Sequence, residues 1–435
     1  MQEFFEYLER KNLSQEDFTK TVADWGSKEL QGFATEVKEV VPYYSEPNQS
    51  NFGFIANAPL SGGHTPCAHV DCRLEHVDRL ARFAALYGDQ VLLQDPLDYF
   101  NSIISGAPHS YIDAVRSDLI DSLYLLYNLR PLLEVGLVGI ARKHTAFCET
   151  HMPSIIKEGT LRRAEDTLHK ILSRELDISM AKEDAWIRIS GAENLLEHPV
   201  GFRTNEKVSV SQRPRRDGRF RIIGKTRKEI VKDLAGWILV DLIQQDIYCS
   251  KGDLNYLTDR ELDLSVLEAT NDPAKKRFSK ALIEGFSHSL PFIQNVSLNK
   301  LLRLRMEEGE SFQVYRDSVS AMLKSLKPAD SEKIKEAFED VVVPELRKID
   351  LTIKNTKKLL RESITSNIIY GTSLVTVGLA GGFLSPDAGK ILATLGGFQF
   401  GMNALRSLHQ LMKEPGSIRD NKFYFLWKAR RLADE

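Results

Sequence analysis

Twelve residues, Ser61 to Cys72 (SGGHTPCAHVDC), are the part of this chain densest in groups that can hold a metal or a substrate. They contain two glycines, two histidines, and two of the chain's four cysteines. Cys67, His69 and Cys72 are one group of soft or borderline ligands. Cys148 and His151 form a second, with the spacing Cys-x-x-His, and His64 and His144 lie close by as alternates. A tetrahedral zinc site takes four such ligands, commonly as two close pairs joined by the fold. The set therefore predicts a zinc site, more readily structural than catalytic. The plain alternative is buried thiols and ordinary polar histidines. Gly62-Gly63 reads first as a turn.

Carboxylates supply the second candidate chemistry. Asp95 and Asp259 each follow an apolar run, and Asp98 lies in the same loop as Asp95. Aspartates past strand ends can hold magnesium in a nuclease-like site, and they are also common turn and cap residues. A third candidate is basic. Arg213 to Lys228 holds eight Lys/Arg against one Asp, with Asp217-Gly218 placed as a hairpin turn. Arg213, Arg215, Arg216, Arg219 and Arg221 could reach phosphates and so bind nucleic acid. A solvated basic loop is the plainer reading. No Walker A, GxGxxG, HExxH or GxSxG motif occurs, so no nucleotide cofactor is indicated.

These residues need elements to position them. Four short apolar runs read as strands: Phe52–Ala58, Gln90–Gln94, Val135–Ile140 and Leu254–Thr258. Helical periodicity over Arg73–Tyr87, Tyr111–Leu133 and Lys228–Tyr248 alternates with them. Continuous apolar strands separated by helices predict an α/β fold, a short parallel sheet covered by helices. Ligands bind such sheets beyond the carboxyl ends of the strands. That edge would carry Ser61–Cys72, Asp95 with Asp98, Arg142–His151, and Asp259. Residues 1–44 read as an N-terminal helical arm and 45–273 as the α/β domain. An insertion at about 155–225 holds a helix and a strand at Trp186–Ser190. Residues 274–435 read as an α-helical C-terminal domain.

That last region holds a further feature. Ser366–Ser385 has no charged residue, Ala388–Leu405 has only Lys390, and eight glycines lie in 366–405. Gly378-xxx-Gly382 and Gly397-xxx-Gly401 permit close helix contact. The pattern suits an apolar helical hairpin that meets a membrane or a protein partner, or one packed in a soluble bundle. Phe423–Arg431 (FYFLWKARR) mixes aromatics and cations as an interfacial anchor would.

The whole chain constrains the class. It has 435 residues, a net charge of −2 and 42% hydrophobic residues, which fit a multi-domain soluble protein. Four cysteines argue against a disulfide scaffold. The start, MQEFFEYLERKNL, lacks a signal-peptide pattern, and the expectation is cytoplasmic, with a peripheral or hairpin contact at an inner membrane. Leu290–Met322 carries an LPxx…LLxLRxEE…FxxxR pattern and resembles uncharacterised prokaryotic proteins. The resemblance implies a bacterial or archaeal origin and carries no activity. Within it, Leu301, Leu304 and Phe312 read as helix-face residues. Arg305, Glu307, Glu308 and Arg316 read as surface charges or ion pairs.

Two functions follow as expectations. One is a metal-stabilised recognition or effector protein, without catalysis, whose apolar hairpin contacts a membrane or partner, as in bacterial stress or phage defence. The other is a metal-dependent hydrolase or nuclease working at the strand edge.

Overall fold

The structure is a computed structural model. It describes residues 1–39, 43–46, 53–104, 111–141, 158–181, 186–191, 199–204, 207–252, 254–260, 262–263, 265–266, 291–293, 296–325, 340–341, 344–346, 368–370, 375–377 and 421–434.

Four parallel strands form the centre: β1 (Gly53–Ala56), β2 (Gln90–Gln94), β3 (Val138–Ala141) and β8 (Asn255–Thr258). They lie in the order β8-β1-β2-β3. The register pairs Phe54 with Val91 and with Asn255, and Val91 with Val138. Each strand is apolar on both sides because each side meets a layer. Phe54, Ala56, Val91, Leu93, Val138, Ile140 and Leu257 enter one core, while Ile55, Leu92, Ala141 and Tyr256 enter another. This is the burial pattern of a doubly covered parallel sheet.

The first layer is built from α4 (Val70–Leu86), α5 (Asp98–Ile104) and α6 (Ile112–Glu134). Three N-terminal helices, α1 (Gln2–Arg10), α2 (Phe18–Ala23) and α3 (Ser27–Glu39), close it from outside. Phe4, Phe5 and Leu8 of α1 are wholly buried, and each such side chain contributes about 2 kcal/mol of transfer free energy.

The second layer is built from α7 (Glu158–Glu175) and α8 (Gly224–Gly252). It also carries an antiparallel sheet: β4 (Leu176–Met180), β5 (Trp186–Gly191), β6 (Val200–Arg203) and β7 (Phe220–Arg221), in the order β6-β5-β4-β7. The insertion is thus a helix followed by a four-stranded sheet, richer in strand than its polar sequence suggests. The basic segment forms the expected hairpin. Ser211 N–H donates to the Arg221 carbonyl at 2.8 Å, and Gly218 turns the chain at φ +78°.

The C-terminal third departs from the expectation of helix alone. It contains α9 (Leu298–Glu307), α10 (Gly309–Ser325) and α11 (Tyr424–Asp434). It also contains strands β9 (Pro291–Ile293), β10 (Ile368–Tyr370) and β11 (Val375–Val377). β10 pairs antiparallel with β9, and β11 extends the main sheet antiparallel to β8. The expected apolar helical hairpin is therefore strand at both segments where it is described. Ile, Val and Thr suit that outcome, since β-branched side chains pack well on a pleated surface. The rest of 366–405 lies outside the described residues. No helix among the described residues is long and apolar enough to cross a membrane.

Nor do the described C-terminal helices build a separate core. Val296, Leu301, Leu304, Phe312, Tyr315 and Phe425 share the core of α4 and α6. Phe423–Trp427, expected as an interfacial anchor, is buried, with the Phe425 ring 4.9 Å from that of Phe312.

Candidate active site at the sheet edge

The chain runs β1 to β2 to β3 in one direction, then returns across the opposite layer to place β8 on the other side of β1. The strand order thus reverses between β1 and β8. In open α/β sheets a crevice forms at that reversal, outside the carboxyl ends of the strands.

Asn57 and Asp259 stand at that point, each just past its strand. Asn57 is fully buried and donates through Nδ2 to Thr258 Oγ1 at 2.8 Å and to Asp259 Oδ1 at 2.9 Å. Its Oδ1 accepts from the Leu60 N–H at 3.0 Å, which fixes the amide orientation. The other oxygen of Asp259 lies 2.8 Å from Nδ1 of His76 on α4. Burial alone would raise the Asp259 pKa. The contact with His76, the Asn57 amide and the Arg260 charge outweigh it and hold the carboxyl below the usual range. Arg79 Nη2 also lies 3.0 Å from His76 Nδ1. A guanidinium N–H only donates, so Nδ1 meets Arg79 as an acceptor. The buried Asp259 Oδ2 makes no hydrogen bond of normal geometry, and its contact with His76 is an ion pair when the ring is protonated. The His76 side chain keeps 14% of its surface, while that of Asp259 keeps 3%.

Behind the pair lies a buried charge network. Arg260 donates through Nε to Asp263 at 3.1 Å and through Nη2 to Asp241 of α8. Tyr256 and Thr258 hydroxyls also donate to Asp263, at 2.8 and 2.6 Å. Gln94, at the end of β2, donates to Asp241 at 2.6 Å. Burial would lower the Arg260 pKa, but Asp263 and Asp241 dominate and keep it raised. The guanidinium lies 5.6 Å from the Trp237 ring. Trp237 also lines a cavity of about 220 Å³ between α8 and the antiparallel sheet, together with Ile189, Phe202, Ile230 and Thr65.

A second His–Asp pair sits nearer α6. His64 Nε2 contacts Asp118 Oδ1, and the His64 ring lies 4.3 Å from that of Tyr99. Arg73, 1% exposed, donates through Nε to the Gly62 carbonyl at 2.6 Å, with Nη1 4.0 Å from Asp118. Burial pulls the Arg73 pKa down, opposed by Asp118 and Asp121. The Ser61–Cys72 loop is therefore tied to α4 and α6, while its Thr65 lines the cavity beside α8. Gly62 is at φ +76°, and a Cβ there would come within 2.8 Å of Leu125. A Cβ on Gly63 would meet the Ala58 carbonyl at 2.7 Å. These glycines serve a turn and close packing, as the plain reading has it.

The expected residues are distributed as follows. Asp259 is in the network, but Asp95 is held elsewhere. Asp95 accepts from Tyr43 at 2.8 Å, from Tyr44 at 3.1 Å and from the Leu97 N–H at 2.8 Å. Burial nevertheless pushes its pKa up to about 6, with Asp98 adding to the rise. Asp98 opens α5. The three aspartates thus do not share one site. No group of three His, Cys, Asp or Glu among the described residues is placed to hold a metal ion.

Cys67 and Cys72 are partly buried free thiols, and burial, with the neighbouring Cys67 thiol, raises the Cys72 pKa. His69 caps α4, its Nδ1 accepting from the Asp71 N–H at 3.3 Å, and its side chain is 67% exposed. Cys148, His151 and His144 lie outside the described residues. In the basic hairpin, Arg215 pairs with Asp177 of β4, while Arg213, Arg216 and Arg221 are exposed.

Sequence reasoning missed His76, Asn57, Asp241, Arg260 and Asp263. A signal existed for Asp241, an aspartate within the apolar helical run Ile238–Ile243. His76 gave none, lying among ordinary polar positions of an amphipathic helix. A scan against models of protein families, a search of curated proteins and a search of solved structures each found no match.

Proposed function

We propose that the chain is a hydrolase whose reaction takes place at the crevice between the ends of β1 and β8. The observation that carries this reading is the His76–Asp259 pair at the reversal of strand order, with Asn57 bonded to the second carboxylate oxygen. A base held by a buried carboxylate, itself held by a third group, is the arrangement that general-base chemistry needs. In the tautomer that carries its proton on Nδ1, toward Asp259, His76 Nε2 takes a proton from the attacking water. The water oxygen forms the new bond to the electrophilic centre, and the leaving group departs with a proton returned from the imidazolium. Asp259 orients the ring and offsets the positive charge that forms on it. The cavity beside Trp237 accommodates an apolar part of a substrate. The test is turnover of a panel of chromogenic carboxyl and phosphate esters by the full chain. His76→Ala should lower the rate by about 10²- to 10⁴-fold, and Asp259→Asn should lower it as well. Absence of turnover by the unaltered chain, or turnover that survives His76→Ala, contradicts the reading.

Two free thiols, Cys67 and Cys72, in one partly buried loop at the sheet edge favour a second reading, in which zinc stabilises a recognition protein. Cys148 and His151 would complete the set, and zinc would cross-link the loop and contribute folding free energy. About one zinc per chain that resists a strong chelator, and is lost in Cys67→Ser, is the expected result. Metal content unchanged by Cys67→Ser rejects it.

A further inference from the structure

The antiparallel sheet turns one face to the core helices, and on its other face Ser179 is buried while the residues around it are more exposed. Ile178, Ile187, Ile189 and Ile222 face α7 and α8. By strand alternation, Trp186, Arg188, Asp177, Ser179, Gly201, Arg203 and Arg221 therefore face away. The register sets Arg221, Ser179, Arg188 and Gly201 side by side across four strands. Trp186 is paired with Arg203 in the neighbouring row and is 47% exposed.

Among the described residues, the acids on and beside this face are engaged. Asp177 holds Arg215, which ties the hairpin tip to the sheet. Asp217 accepts from the Arg219 N–H within the turn at 3.1 Å. Among the described residues, Arg188, Arg203, Arg213, Arg216, Arg219 and Arg221 make no side-chain ion pair. The chain as a whole carries a net charge of −2, so this concentration of guanidinium groups is local.

We infer that this outer face, Trp186 with Arg188, Arg203 and Arg221 and the adjoining hairpin, binds single-stranded nucleic acid. The guanidinium groups neutralise backbone phosphates. The exposed Trp186 ring between them offers a stacking surface for an unpaired base. A duplex keeps its base faces stacked and could use only the charges. Such binding goes beyond the hydrolase reading and does not depend on it, since the face lies on the side of the sheet turned away from α7 and α8.

The test is fluorescence anisotropy of a labelled oligothymidylate of about 20 nucleotides with the full chain over a range of salt. Binding should weaken with salt, with a log–log slope of about −2 for three neutralised phosphates. Arg188→Glu with Arg221→Glu should reduce affinity at least tenfold, and Trp186→Ala by roughly five- to a hundredfold. Arg174→Glu, on α7 outside the face, should leave it unchanged. Thermal melting of each variant separates lost binding from lost folding. Photo-crosslinking of the oligonucleotide to the unaltered chain should map to β5–β7 even if a variant does not fold. No binding at low salt, binding indifferent to the Arg188/Arg221 change, or crosslinks confined elsewhere overturns the inference. So does dextran sulfate binding as tight as the oligonucleotide's, with no effect of Trp186→Ala, since that is charge adsorption alone.

Discussion

Arg260 illustrates what burial demands of single residues. It is 2% exposed, and its charge is tolerated because Asp241 and Asp263 lie against it. Arg260→Met would leave two buried carboxylates uncompensated, and breaking such a group costs roughly 3–5 kcal/mol. Chemical denaturation should report a loss of that size, and a loss under about 1 kcal/mol would mean the network is solvent-screened. Asp95 gives the opposite sign. Burial holds its folded pKa at about 6, above the ordinary aspartate value. The stability linked to it is therefore fully present below the unfolded pKa and is lost as pH rises through 6. At pH 7 the penalty is about 3 kcal/mol. Asp95→Asn should gain stability over the unaltered chain at pH 7.5, and the gain should shrink at pH 5. A gain independent of pH would refute the raised pKa. Such residues were only partly legible. Asp95 and Asp259 are visible as carboxylates after apolar runs. Which one meets a histidine depends on tertiary placement, and Tyr43 and Tyr44 took Asp95.

At the level of elements, the parallel sheet was legible because each strand is a short apolar run closed by a turn, and helices fill the gaps. The insertion was less so, since β6 is exposed over much of its length and lacks an apolar run. Ile368–Tyr370 and Val375–Val377 show the limit of periodicity, because an uncharged run satisfies helix and strand alike. Arg305 shows how a charge in the Leu290–Met322 pattern can act between elements. Expected at the surface or in an ion pair, it donates instead to the carbonyls of Ala84, Ala85 and Gly88 at the end of α4, at 2.9, 3.1 and 2.7 Å. Glu308 and Arg316 do form ion pairs, with Lys428 and Asp89, though both are buried. The Ala84 carbonyl also accepts from the Gly88 N–H at 3.1 Å. Arg305 adds a charged donor for it and for the Ala85 and Gly88 carbonyls at a negative helix end, where a cation is favourable. Arg305→Met should cost about 2 kcal/mol through unsatisfied carbonyls. An unchanged denaturation midpoint would show that water replaces the guanidinium.

Among the described residues, the molecule is a sheet with a core on each face, and α11 closes one of them. α11 contributes Tyr424, Phe425, Leu426 and Trp427 to the core of α4 and α6, and Phe423 just before it adds a further ring. Removing residues 421–435 should expose Phe312 and Tyr315, broaden the thermal transition and lower solubility. A truncated chain with an unchanged, sharp transition would show that α11 is dispensable. The sequence pattern of aromatics and cations in this tail could not distinguish a membrane surface from a protein core, because both bury the rings and leave cations at the boundary.

The His64–Asp118 and His76–Asp259 pairs both border the sheet edge, and only the latter is assigned chemistry. The decisive measurement compares turnover of one panel substrate by the unaltered chain, His76→Ala and His64→Ala under the same conditions. The expected result is a loss of about 10²- to 10⁴-fold for His76→Ala, with the rate of His64→Ala within a few-fold of the unaltered chain. Equal losses in both, or a loss only in His64→Ala, would contradict the assignment of the site to the β1–β8 crevice.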